Sequence, residues 1–167
     1  MSKKFDAFAS TEGEKDEKFQ AMTGVWKRYG LLFKDLKDNY GYERALQHHI
    51  DARKPIDEEI IKQLKEKYIT LSVDGYGEKL RESYTASGYA SGSKVTENSV
   101  EIQIRLCPFY EGFSQAGLSH EVIKETCVRT AEYQYALFKK HYPKYEGILV
   151  FRETPDDCCI EGFKLNK

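Results

Sequence analysis

From Glu14 to Tyr40 the apolar side chains recur at alternating intervals of three and four: Phe19, Met22, Trp26, Tyr29, Phe33, Leu36 and Tyr40. That period places them on one side of a helix, with Val25 and Leu32 widening the stripe. A core helix laid across a sheet is the first reading, and a dimer seam is the second. The second makes a homodimer through the Phe19–Tyr40 helix a candidate assembly. Gly24 and Gly30 each weaken such a helix by roughly 1 kcal/mol relative to Ala, which close packing against a neighbour would explain. Asn39-Tyr40-Gly41 ends it, because Gly can take the left-handed conformation past the last turn. A shorter helix is predicted over Glu43–Arg53. A third is predicted from Pro55-Ile56-Asp57, with Asp57 as N-cap and a stripe of Ile60, Ile61, Leu64, Tyr68 and Leu71.

Between Asp74 and Asn98 the chain turns to Gly, Ser, Tyr and Thr. Glu78–Tyr84 can form a short helix and Tyr84–Ser91 an edge strand, followed by a turn over Lys94–Asn98. Gly75-Tyr76-Gly77 lacks the later glycine and the flanking strand and helix of a dinucleotide loop. Ser99–Leu106 then alternates apolar and polar residues, as a half-buried antiparallel strand does. Cys107-Pro108 opens a predicted loop with Gly112 and Gly117. Ser119 caps a predicted helix to His141, with a stripe of Ile123, Cys127, Ala131, Tyr135 and Phe138. Gly147–Glu153 and Cys158–Lys164 read as strands joined at Thr154–Asp157. The expectation is one α+β domain: N-terminal helices, then a β-β-α-β-β unit whose antiparallel sheet of about four strands carries helices on one face. Residues 1–13 read as a loosely held arm, 14–72 as the helical half and 84–167 as the sheet half.

Composition narrows the function classes. Lys and Arg total 26 against 27 Asp and Glu, so no basic excess marks a nucleic-acid footprint. No apolar run approaches the ~18 residues of a membrane span, and Met-Ser-Lys-Lys-Phe-Asp lacks the apolar core of a secretory signal. The expectation is a cytoplasmic protein with a small-molecule substrate, no nucleic-acid or membrane partner, and no cofactor.

All four cysteines fall between Cys107 and Cys159, and in the cytoplasm they are expected as thiols or ligands rather than disulfides. Cys107 sits where a strand yields to a loop, and Pro108 restrains its backbone. A nucleophile needs that rigidity together with a partner for its proton. His120, Glu111, Asp156 and Asp157 are the candidates, while plain packing is the alternative for Cys107. Cys127 lies on the apolar stripe of its helix, so packing leads there; a site role would aim it at the sheet. Cys158 and Cys159 must point to opposite faces, and Ile160 favours Cys158 as the inward one. Zinc held by three cysteines and His120 lacks any C-x-x-C pairing. A redox pair of Cys107 and Cys127 is a further alternative. The neighbours His48 and His49 diverge by about 100° on a helix, so they do not suit one ion.

Leu106-Cys107-Pro108, Gly117-Leu118, Glu125-Thr126-Cys127 and Asp156-Asp157-Cys158-Cys159-Ile160 together resemble the L-2-amino-thiazoline-4-carboxylic acid hydrolase family. The likeness spans about Ser99 to Phe163. It implies hydrolytic opening of a sulfur heterocycle containing a C=N bond, a cyclic amidine. On that resemblance the Cys107 thiolate attacks the amidine carbon, and His120 or Asp157 moves the proton. Cys127, Cys158, Arg105 and Arg152 then fall to substrate binding, the arginines by clamping a carboxylate. The rival expectation is a non-catalytic module that binds or senses a small molecule or a metal.

Overall fold

The computed structural model describes residues 17–68, 80 and 82–166, with backbone alone at 64–68, 90 and 91. The expected arm, Gly75-Tyr76-Gly77, Leu71 and, of the expected Glu78–Tyr84 helix, Glu78, Lys79 and Arg81 lie outside the described residues, as do the side chains of Leu64 and Tyr68. The elements are α1 (Glu17–Tyr40), α2 (Tyr42–Tyr68), β1 (Ala90–Val95), β2 (Ser99–Leu106), α3 (Pro108–Gln115), α4 (His120–His141), β3 (Tyr145–Val150) and β4 (Cys159–Leu165). The strands form one antiparallel sheet in the order β1-β2-β4-β3. The fold is α+β, as the hydrophobic pattern predicts.

Helix α1 buries Phe19, Thr23, Gly30 and Phe33 within the chain, while Val25, Leu31 and Leu32 stay exposed. Gly41, at φ +87°, closes α1 as expected and passes directly into α2. The predicted break at Pro55 does not occur: α2 runs on through it. Asp51 and Pro55 both lie on the exposed side, where the carbonyl that loses its N–H partner can meet water. Asp57 is therefore no N-cap. It is buried in mid-helix, 3.2 Å from Arg53 and receiving a hydrogen bond from Gln134.

The predicted edge strand is also displaced. Residues 82–86 are helical, Tyr89 N–H closes onto the Tyr84 carbonyl, and Gly88 turns the chain at φ +79°. Pairing with β2 begins only at Ala90. The loop expected after Cys107-Pro108 is helix α3, with Pro108 in its first turn and Cys107 as its N-cap. Gly112, which reads as a breaker, sits instead where α1 crosses. A Cβ there would come within 2.6 Å of Trp26 Cβ and 2.7 Å of Lys27 N. Gly30 makes the matching approach from α1, facing Ala116 and Phe113. Ser119 caps α4 as predicted, its Oγ accepting from Val122 N–H.

Register fixes the two faces of the sheet. Val100, Ile102 and Ile104 of β2 lie opposite Phe163, Glu161 and Cys159 of β4. The three β2 residues are fully buried beneath the helices. Residues between them on each strand, Glu101, Gln103 and Ile160 among them, point away. Phe33, Phe113, Ile123 and Phe151 complete the core from the helical side and from the end of β3.

Candidate functional site

Between this inner face and the helices lies a cavity of about 590 Å³. Met22 and Trp26 of α1, His49, Arg53 and Asp57 of α2, and Ile102, Glu161 and Phe163 of the sheet form its walls. Tyr84 and Tyr89 border it, as do Cys107, Phe109 and the α4 side chains Cys127, Thr130, Gln134 and Tyr135. Aromatic rings dominate, packed edge to face where α1 meets α3: Trp26 and Phe109 have centroids 5.2 Å apart at 83°.

Polar side chains are interspersed with these rings, Gln63, Ser83 and Ser87 among them. Glu161 accepts a short hydrogen bond from the Tyr84 hydroxyl at Oε2. Burial raises its carboxyl pKa, while that hydrogen bond and the Arg53 charge pull it down. Burial also lifts the Tyr84 and Tyr89 hydroxyls well above their ordinary value. His49, 2% exposed, has Nδ1 at 3.2 Å from the Tyr29 hydroxyl. Burial first, then Arg53 and His48, lowers its pKa to about 4, so the imidazole is neutral at physiological pH. Arg53 and Asp57 pair with each other. Arg53 Nε, Asp57 Oδ2 and Trp26 Nε1 are buried with no hydrogen-bond partner among the described residues.

Two of the predicted site residues meet here. Cys107 and Cys127 both border the cavity. Burial pushes the Cys107 thiol up to about 12, outweighing the hydrogen bond that its Sγ accepts from Tyr110 N–H at 3.4 Å. Burial, then the Glu161 charge, pushes the Cys127 thiol well up too. Both are thiols at neutral pH in the free protein.

The others lie elsewhere. His120 Nδ1 is 2.8 Å from the Tyr110 hydroxyl, and its ring packs on Phe151, off the cavity wall. Asp157 accepts from the Thr154 N–H and hydroxyl in the exposed turn before β4. Arg105 is exposed. Arg152 is buried, but its guanidinium is spent on the Ile104, Arg105 and Pro155 carbonyls and the Cys159 Sγ, 4.6 Å over the Tyr110 ring. It ties the β3–β4 turn to the end of β2. Cys158 receives a hydrogen bond from Gln103 on the outer side of the sheet. The inward choice of Cys158 is thus corrected: Cys159 opposes Ile104 and shares the phase of Glu161 and Phe163. Ile160 misleads because it is apolar yet only half-buried on the outer face.

No family model, curated protein or solved structure matches this chain. Among the described residues, no three His, Cys, Asp or Glu side chains gather to hold a metal ion, and no helix is long and apolar enough to cross a membrane.

Glu161, Tyr84 and the Arg53–Asp57 pair escape a reading of the sequence. The available signal was the phase of β4: Glu161 alternates with Cys159 and Phe163, so once Phe163 is placed in the core the carboxyl must follow it inward.

Proposed function

We propose that the protein binds a small, largely apolar molecule in the cavity between the sheet and helices α1, α2 and α4. The observation that carries this reading is the cavity itself: about 590 Å³, walled by aromatic and aliphatic side chains interspersed with polar ones. The probe is the neutral dye N-phenyl-1-naphthylamine, whose fluorescence rises in an apolar site. Saturable one-to-one binding to the full chain is expected. Cys127→Phe, which fills the cavity from α4, should weaken it by about tenfold or more while leaving the circular dichroism unchanged. Binding that is absent, or indifferent to that substitution, would sink the reading.

A second reading, hydrolysis of a sulfur-containing cyclic amidine, is favoured by one observation. Cys107 and the neutral imidazole of His49 border the same cavity. In that reading the Cys107 sulfur adds to the amidine carbon as its proton passes to the imidazole. The imidazolium then protonates the departing group, and water later releases the thiol. A thiol held at about 12 has little thiolate to offer at neutral pH, which is why binding stands first. Ring opening of 2-amino-thiazoline-4-carboxylate that stops in Cys107→Ser would reverse that order.

A further inference from the structure

We propose that the molecule held in the cavity is a protonated organic amine, with Glu161 as its counter-charge and the surrounding rings as its walls; this rests on the binding reading above. Three observations meet on Glu161. It stands on interior strand β4 opposite Ile102, so the sheet holds its backbone while its side chain reaches the cavity wall. Its carboxyl takes one hydrogen bond, from the Tyr84 hydroxyl to Oε2. Oε1 has no partner among the described residues and is left for a donor from the cavity. Glu161 is half-buried, and its Oε1 is not among the fully enclosed unpaired atoms of the wall, so this oxygen stays open to a donor from the cavity.

The charges on the wall select the sign of the donor. Arg53 and Asp57 answer each other at 3.2 Å, His49 is neutral, and Cys107 and Cys127 are thiols. Among the described residues of the wall, Glu161 is the acidic group with no ion-pair partner. An anionic ligand would meet that carboxyl unfavourably, and a neutral hydrocarbon would leave Oε1 bare. An ammonium supplies an N–H for Oε1 and adds, to an Arg53 charge already shared with Asp57, a counter-charge for the carboxylate. Trp26, Tyr89 and Tyr135 stand on the same wall, and aromatic rings suit a cation as well as an apolar body. Tyr84 is the positioning residue: its hydroxyl fixes the turn of the carboxyl.

The test is calorimetric titration of the full chain at neutral pH with three ligands of one shape: tryptamine, its neutral isostere 3-propylindole, and anionic indole-3-propionate. The expected order is amine, then neutral, then acid, with the amine about tenfold or more tighter than its isostere. Glu161→Gln should erase that margin, the tryptamine affinity falling to that of 3-propylindole for the same variant. Equal binding of amine and isostere by the wild-type protein overturns the proposal, and so does a preference that survives in Glu161→Gln. The wild-type order decides the matter even should that variant fail to fold. If N-phenyl-1-naphthylamine binds but tryptamine does not, the amine class falls and the binding reading stands. If neither binds, both fall.

Discussion

Burying an imidazole without a counter-charge sets a pH limit on this protein. His49 is held neutral with its pKa lowered to about 4, whereas in the unfolded chain it returns to about 6.5. Between those values the unfolded state takes up a proton that the folded state refuses. The stability present above 6.5 is therefore lost as pH falls. From pH 7 to pH 5 the loss from this one group is about 2 kcal/mol. Urea unfolding at both pH values should show it, and the loss should shrink in His49→Gln. Glu161 works in the opposite sense, since its raised pKa costs stability as pH climbs out of the carboxylate range. The comparison must for that reason be made between variant and wild type at each pH. An imidazole in the tight aromatic company of Tyr29, Phe33 and Phe113 is not legible from His48-His49 alone. Only the packing of α2 decides which of the two neighbours is buried.

At the level of elements, what the sequence discloses depends on whether one element suffices to explain the pattern. Strand β2 falls where its period-two alternation predicts it. Helix α4 starts at the Ser119 cap and runs to His141 as its stripe and Pro143 suggest. Three of the failures involve a second element. Pro55 reads as a start until α2 is laid against α4, and Gly112 reads as a loop until α1 is brought across it. Cys158 reads as inward until β4 is set in register with β2. The two glycines of opposite character make the point measurable. Gly112→Ala should destabilise by about 1–3 kcal/mol, because the added methyl meets the backbone of α1. Gly24→Ala has nothing within 4 Å of its new methyl and should stabilise α1 by about 0.5–1 kcal/mol. Equilibrium unfolding of both variants gives the signs.

Across the molecule the sheet order β1-β2-β4-β3 puts β2 and β4 inside and leaves β1 and β3 as edges. Amide hydrogen exchange should be slowest along Val100–Ile104 and Ile160–Phe163 and faster on the free side of β1 and β3. The same arrangement explains why the cavity was the least legible feature. Its walls come from α1, α2, the sheet and α4, and no local pattern records how those meet.

Among the described elements β4 comes last in chain order, and it alone bridges β2 to β3. A nascent chain leaving the ribosome can close the β1–β2 hairpin early, but β3 has no neighbour to join until Cys159–Leu165 has emerged. For that interval the part of the helical underside that β4 and β3 cover in the folded chain stays open to water. Glu161 belongs to the same strand, so the pocket acquires this carboxyl together with the bridge between β2 and β3.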